Sequence, residues 1–397
     1  MDDPACFTFG ASDQFAAESA APCGYTHVTV GGACFDRIGQ LVHTRTVSGH
    51  GTVVVFCGHS AMRTHGFFDR LMEQLGTAKV EVVDGIGPNP TVASCQAAAD
   101  VLSGLGQVQS IIAIGGGSVM DTAKVANIAS GSQKSVANLV AGASGALGRC
   151  ATMLVAVPTT AGSGSEVTPF ATIWDFDKPR KHSLDHPSIQ PTHALLDPQL
   201  TVAMDQNLTV TTACDALGHA MESLWSRRCT PMSQAVATQA MSTIVRELPR
   251  VVANPTDQSL RAKLQWASLL GGLAISQSRT AAAHAMSYAL TLRFGVPHGR
   301  AVGLLLPQVL GANLIQLPLD RKISIRDVFG VGSDHQMAAG VAEFLQKLGL
   351  NESLASYGVR ETDILSLAEQ SAGPDRMANN IVQFERDQIA AIIRSAV

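Results

Sequence analysis

Ser110-Ile111-Ile112-Ala113-Ile114-Gly115-Gly116-Gly117-Ser118, running on into Val119-Met120-Asp121-Thr122-Ala123-Lys124, is the stretch that decides the fold. Its first five residues are a short apolar, β-rich run of the kind that forms a parallel strand buried on both faces. Three glycines and a serine follow at once, and the next six residues read as helix. Strand, glycine turn and helix in that order let backbone N–H groups approach a pyrophosphate at the positive end of a helix dipole. The spacing is not GxGxxG, and a glycine turn after a strand also serves purely conformational ends. On the phosphate reading, Gly115, Gly116, Gly117, Ser118 and Asp121 are candidates to bind a nucleotide.

The same alternation continues on both sides. Residues 28–30, 52–56, 80–83, 153–157 and 194–196 are strand-like, and residues 67–75 and 91–105 are helix-like. This pattern predicts an α/β, Rossmann-like nucleotide-binding domain over residues 1–196. After Asp197-Pro198 the chain turns to Ala, Leu, Met and Gln at helical periodicity, with helices expected at 232–248, 259–276 and 336–348. An all-helical domain is therefore expected over 197–397, with the ligand cleft between the two halves. The strand at 153–157 leads into Pro158-Thr159-Thr160-Ala161-Gly162-Ser163-Gly164-Ser165-Glu166. In that loop Thr159, Thr160 and Ser163 are candidate donors to phosphates or to a nicotinamide carboxamide.

The helical half holds four ligand-type side chains in two clusters. Asp215 and His219 lie in Cys214-Asp215-Ala216-Leu217-Gly218-His219-Ala220-Met221-Glu222, where i,i+4 spacing puts carboxylate and imidazole on one helical face. His284 follows in Ala283-His284-Ala285-Met286-Ser287-Tyr288. His298 follows in Gly295-Val296-Pro297-His298-Gly299, where Pro and Gly break the helix and predict presentation from a loop. Any one of these histidines alone reads as an ordinary core or surface residue; four ligand-type side chains at these spacings read as one metal site. One carboxylate with three imidazoles suits Fe(II), or alternatively Zn(II), better than Mg(II).

Taken in order, Gly87-Pro88-Asn89-Pro90-Thr91, Gly115 to Lys124, Pro158 to Thr168, Asp215 to Glu222 and Pro297-His298-Gly299 resemble the iron-containing (group III) alcohol dehydrogenase family. The resemblance covers nearly the whole chain. It implies an α/β nucleotide-binding domain followed by an all-α metal-binding and catalytic domain, and hydride transfer between NAD(P)H and a small aldehyde or alcohol. It assigns the metal to Asp215, His219, His284 and His298, and carries Asn89 into the cofactor site. Many members have a further His four residues after the third ligand; here that position is Tyr288, either a hydroxyl donor at the catalytic site or a packed tyrosine. NAD-preferring members commonly carry an Asp in the turn after the strand ending at Phe56, whose carboxylate repels a 2′-phosphate. This chain has Cys57-Gly58-His59-Ser60, with Arg63 nearby, so Gly58, His59 and Ser60 are expected to accommodate NADP(H), with NAD(H) the alternative.

The stretches 168–175 and 181–184, Ser278-Arg279-Thr280 and Tyr288 resemble the branch of the family associated with phosphonate metabolism. This implies reduction of phosphonoacetaldehyde to 2-hydroxyethylphosphonate, and a phosphonate dianion needs cationic or hydroxyl partners. Thr168, Lys181, Ser278 and Arg279 are the candidates, with Lys181 alternatively a cofactor ligand. A general short-chain aldehyde reductase, a dehydroquinate synthase-like lyase and a non-catalytic nucleotide-binding regulator are the other readings.

Composition excludes further classes. The chain has 397 residues, 46% hydrophobic and 15% charged, and a net charge of −4, which offers no broad basic field for nucleic acid. No apolar run reaches membrane-spanning length, and Met1-Asp2-Asp3-Pro4-Ala5 lacks the positive start of a signal peptide. Cytoplasm is the expected location and a homodimer the expected assembly. The eight cysteines form no CxxC pair, so reduced thiols are expected.

Overall fold

The computed structural model describes residues 5–10, 25–43, 51–58, 66–142, 152–178, 180–373 and 376–397. His59 and Ser60, and Arg63 beside them, lie outside the described residues. The chain forms two compact units, one comprising Met1–Thr160 with Ser165–Ala203 and the other Ala161–Gly164 with Met204–Val397.

The first unit is built on a seven-stranded sheet. Its strands are β1 (Ala5–Gly10), β2 (Tyr25–Val30), β3 (Thr52–Cys57), β4 (Val80–Val83), β5 (Val108–Gly115), β6 (Met153–Pro158) and β9 (His193–Leu196), in spatial order β1-β2-β9-β6-β5-β3-β4. All neighbours pair in parallel except β1, which runs antiparallel to β2. The central strands alternate between two cores. Ile111 and Ala113 of β5 join Val54, Phe56, Leu154 and Ala156 beneath α3 (Val92–Gly104) and α4 (Gly117–Ser132). Ile112 and Ile114 join Val53, Val55 and Val155 beneath α1 (Ile38–His43) and α2 (Phe67–Leu75). Helices on both faces leave no solvated side, which is why β3 and β6 are buried at every position and read as unbroken apolar runs.

Several elements are absent from the sequence expectation, β1 among them, and one of these bears on the site. Residues 170–185 form an antiparallel hairpin of β7 (Phe170–Asp175) and β8 (Arg180–Asp185), in which Trp174 opposes Lys181. Its base is fastened to α4 from inside. Lys124, fully buried, donates to Ser165 Oγ (2.8 Å), the Thr168 carbonyl (3.0 Å) and the Phe170 carbonyl (2.9 Å).

The second unit is helical. Its framework is α6 (Gln206–Leu224), α7 (Pro231–Ala253), α8 (Gln258–Ser278), α9 (Ala282–Phe294) and α10 (His298–Asn313), with α11 (Leu319–Phe329), α12 (Asp334–Lys347), α13 (Ile364–Ser371) and α14 (Arg386–Arg394) closing one core; α5 (Val136–Val140) lies in the first unit. Small residues set the closeness of the central helices. A methyl added at Gly218 of α6 would lie 3.2 Å from His284 Cε1 and collide with Val302 of α10, and one at Gly299 of α10 would lie 3.3 Å from Asp215 Cβ. His298, expected on a loop, is instead the first residue of α10, with Pro297 as its N-cap. Proline's fixed φ starts this helix rather than stopping one. No described helix is long and apolar enough to cross a membrane.

Candidate active site

α6 begins at Asp205, whose side chain accepts from Leu208 N, and runs without interruption to Leu224. Asp215, His219 and Glu222 therefore share one face at i, i+4 and i+7. α9 brings His284 and the start of α10 brings His298 to that face. His284 Nε2 lies 3.3 Å, His298 Nε2 3.6 Å and His219 Nε2 3.7 Å from Asp215 Oδ1. Donor atoms about 2.1 Å from one ion in tetrahedral array stand about 3.4 Å apart, so these separations fit a single transition-metal ion. The ligand atoms of Asp215, His284 and His298 all lie within 4.8 Å of one another, with His219 joined through Asp215. Four residues from three helices thus meet at one carboxylate oxygen.

The surroundings explain how this polar cluster is held. Glu222, fully buried, accepts His284 Nδ1–H at 2.8 Å and also the backbone N–H groups of Ala281 (2.6 Å), Ala283 (2.6 Å) and His284 (3.2 Å). Ser287 Oγ donates to the His284 carbonyl at 2.8 Å and lies 3.2 Å from His298 Nδ1. Tyr288 stacks on His298, with ring centroids 5.8 Å apart and an interplanar angle of 13°.

Burial alone would raise the carboxyl of Asp215, but His219, His284 and His298 hold it well below the usual range. Burial works downward on His284 as well, yet the Glu222 and Asp215 carboxylates bring it up to about 9. Burial pushes His219 down to about 4, against the opposing pull of the Asp215 carboxylate. The buried Glu222 and partly buried Asp215 carboxylates, facing three imidazoles, balance the charge of one dication, the condition under which an enclosed ionic cluster is tolerable.

The nucleotide candidates lie in the first unit at the carboxyl ends of adjacent parallel strands, the usual ligand-binding edge of such a sheet. Gly115 is in register with Pro158, and Cys57, just before Gly58, with Ile114. Thr159 N donates to the Gly115 carbonyl at 3.0 Å, and a Cβ at Gly116 would stand 3.4 Å from the Thr160 side chain. A Cβ at Gly115 would meet the Val119 side chain at 2.7 Å, so only glycine lets α4 turn so sharply off β5. Ser118 Oγ accepts from Asn89 N at 3.2 Å, and Asn89 has a φ of 59°. The structure thus gathers Gly58, Asn89, Gly115 to Ser118, Thr159 and Thr160 on one edge. Ser163 falls in the Ala161–Gly164 segment of the second unit.

Asp121 is bound inside the protein, accepting from Ser165 Oγ (2.6 Å) and Thr172 N (2.8 Å). Thr168, expected to meet substrate, is 2% exposed and receives Lys124 through both its carbonyl and, at 3.3 Å, its hydroxyl. Ser278 is fully buried, and its hydroxyl donates within the protein, with Ser223 Oγ and the Ala274 carbonyl each at 2.9 Å. Lys181 lies on β8 close enough to Asp121 to lower that carboxyl electrostatically, although burial raises it overall. Arg279 ends α8 at φ 64° and ψ 169°, a region populated essentially by glycine. Sequence reasoning singled out neither Glu222 nor Ser287 as site residues. Glu222 carried a usable signal, its place on the ligand face of α6, whereas Ser287 carried none.

Comparison with known proteins agrees with this arrangement. The family model described as iron-containing alcohol dehydrogenase matches residues 26–198, and that for the Fe-containing alcohol dehydrogenase family C-terminal region matches residues 209–397. The chain is 33% identical over 302 residues to a phosphonoacetaldehyde reductase of Streptomyces viridochromogenes, covering 71% of this chain and 74% of that one. It is 30% identical over 341 residues to a 1,3-propanediol dehydrogenase of Klebsiella pneumoniae, covering 83% and 87%. Among solved structures it is similar to a sulfoacetaldehyde reductase of Bifidobacterium kashiwanohense in complex with NAD+, with a TM-score of 0.84, 27% identity and coverage of 93% and 96%. The chain belongs to the iron-containing alcohol dehydrogenase family of oxidoreductases.

Proposed function

We propose that this enzyme reduces phosphonoacetaldehyde to 2-hydroxyethylphosphonate at the expense of NADPH, with NADH as a second donor, using Fe(II), or Zn(II) in its place. The observation that carries the reading is the convergence of three imidazole nitrogens 3.3–3.7 Å from Asp215 Oδ1. Asp215, His219, His284 and His298 would hold the metal. When bound, the divalent ion supplies Lewis acidity toward the aldehyde oxygen and the nicotinamide supplies the hydride. The chain's own groups do the rest. Glu222 and Ser287 hold His284 and His298 with their Nε2 atoms toward Asp215, and Tyr288 packs against His298. Backbone N–H groups at the start of α4 receive the pyrophosphate. The alcohol product takes its proton from water.

The substrate rests on two supports. The phosphonoacetaldehyde and sulfoacetaldehyde reductases among the similar proteins both act, by name, on short aldehydes bearing an anionic acid. Arg279 holds a backbone conformation that costs a non-glycine residue about 1–3 kcal/mol and that persists only where the surroundings over-determine it. Asn379 Nδ2 grips the carbonyls on both sides, Ser278 at 2.8 Å and Thr280 at 2.9 Å. Such fixed strain five residues before His284 suits a guanidinium that receives an anionic tail. The free thiols of Cys34, Cys57, Cys95 and Cys214, all buried, and of Cys229 are in keeping with a cytoplasmic enzyme.

A panel of charged and neutral aldehydes, assayed with NADPH and NADH on protein reconstituted with iron or zinc, tests the reading. Phosphonoacetaldehyde should give the highest kcat/KM. Arg279→Ala should cost about 1.5–3 kcal/mol of transition-state stabilisation for that substrate alone. Equal losses on a neutral aldehyde, or no preference in the parent enzyme, would replace it with a general short-chain aldehyde reductase.

A further inference from the structure

The buried carboxylate of Glu222 makes no contact with Asp215, yet it accepts four hydrogen bonds. Two of its donors, Ala281 N and His284 Nδ1, share Oε2, at 2.6 and 2.8 Å; the other two, Ala283 N and His284 N, share Oε1, at 2.6 and 3.2 Å. α9 has no side-chain cap of its own, since its N-cap is Ala281. Glu222 therefore fills the place of a cap from another helix and places its charge at the positive end of the α9 dipole. A carboxylate offers no proton, so the bond to His284 must come from Nδ1–H, and Nε2 is left with its lone pair toward Asp215 Oδ1. The same logic extends one link further. The single hydroxyl proton of Ser287 goes to the His284 carbonyl, so at 3.2 Å from His298 Nδ1 the oxygen can only accept. His298 is thereby fixed in the same tautomer.

We propose that Glu222 is a positioning residue of the metal centre: it caps α9 and fixes the His284 ring, while Ser287 of the helix it caps sets the His298 ring, so that both Nε2 lone pairs face the metal position. The inference rests on the metal reading above and adds to it a directed chain of hydrogen bonds that no ligand residue supplies.

Glu222→Gln is the informative change because it keeps shape and removes only acceptor capacity. Whichever way the amide turns, its NH2 faces two N–H donors. At the Oε2 position it opposes Ala281 N–H and leaves His284 Nδ1 to become the acceptor, moving the proton to Nε2; at the Oε1 position it undoes the cap. The experiment measures zinc and Co(II) affinity by chelator competition, the visible spectrum of the Co(II) form, and the downfield Nδ1–H proton resonance of His284 in the zinc form, for the full chain and for Glu222→Gln, Glu222→Asp and Ser287→Ala. Glu222→Gln should bind metal 10–100-fold more weakly and change the Co(II) spectrum, and it should lose the downfield resonance where the NH2 takes the Oε2 position. Glu222→Asp, which keeps the charge and its acceptors, should recover part of the affinity. Ser287→Ala tests the second link without touching the α9 cap, and should weaken metal binding even if Glu222→Gln does not fold. Parent-like metal affinity in both Glu222→Gln and Ser287→Ala, with the parent itself binding metal, overturns the inference alone. A parent that binds neither zinc nor Co(II) overturns the metal reading and the inference with it.

Discussion

Gly299 offers the sharpest perturbation of the metal site, because it sets a distance rather than a ligand. A methyl group there would lie well inside van der Waals contact with the Thr211 carbonyl oxygen, 2.9 Å from its carbon and 3.3 Å from Asp215 Cβ. The opposing atoms are main chain of α6, so they cannot swing aside. Against the carbonyl oxygen, the nearest of these atoms, the first turn of α10 would have to retreat from α6 by more than about 1 Å to restore ordinary contact near 3.5 Å. His298 is the neighbouring residue and Asp215 lies one turn from Thr211, so the retreat acts on the 3.6 Å separation between His298 Nε2 and Asp215 Oδ1. Two atoms bound about 2.1 Å from one ion can stand at most about 4.2 Å apart, and the retreat would exceed that limit. Gly299→Ala should therefore lose one ligand, with kcat/KM falling on the order of 100-fold, while overpacking costs only about 1–3 kcal/mol of stability. Gly303→Ala, on the same seam, is the control. Its methyl would meet chiefly the tip of Leu350 at 2.9 Å, a flexible end that can move. Thermal melts, chelator competition and steady-state kinetics on both variants decide the matter. If Gly299→Ala keeps parent-like metal affinity while its stability falls, the seam does not set the ligand spacing and the reasoning is wrong.

Asp215→Asn should abolish turnover and lower bound metal while leaving nucleotide affinity largely unchanged, because the glycine loop belongs to the other unit; metal analysis and NADPH titration check this, and near-normal activity would contradict it. Gly58→Asp should shift the NADPH-to-NADH ratio of kcat/KM toward NADH, since a carboxylate there would oppose a 2′-phosphate. Space allows the change, the new Cβ standing 3.5 Å from the Ile86 carbonyl oxygen, so an unaltered ratio would place Gly58 away from the ribose. Burial holds Glu166 up at about 7, against an ordinary 4.5, with Lys124 opposing. The native state thus binds more protons than the unfolded chain between those values, and this contribution to stability falls as pH rises from 4.5 to 7. Relative to the parent, Glu166→Gln should be more stable at pH 8 than at pH 5 by about 3 kcal/mol, and parallel denaturation curves at the two pH values would refute it.

What was legible in the sequence was whatever a single element determines by itself. β6 and the 111–114 run of β5 read correctly because both of their faces meet a core, so every position there is apolar. Asp215 and His219 read as a pair because one helix turn relates them. The β7–β8 hairpin did not read, since Arg180, Lys181, His182 and Ser183 give it a polar strand and its anchoring comes from Lys124, on a different element. Lys124 carries its own lesson: a lysine in a glycine-rich turn-helix motif invites a phosphate, yet here its ammonium is fully enclosed and held by hydroxyl and carbonyl oxygens. Thr168 and Ser278 were picked for their hydroxyls, and the fold uses those hydroxyls inward.

The same division separates ligands from the groups that aim them. A metal constrains residue type, so Asp and His betray themselves even when His284 lies 69 residues beyond Asp215. A group that orients a ligand needs only an acceptor in the right place, and glutamate or serine is too common for its type to signal anything. Glu222 lies 62 residues before the ring that it orients, and only the crossing of α6 with the start of α9 brings the two together. Its i+7 place after Asp215 was visible, but a glutamate near the end of a helix is ordinarily solvated. Complete burial with four donors turns it from a surface charge into part of the site.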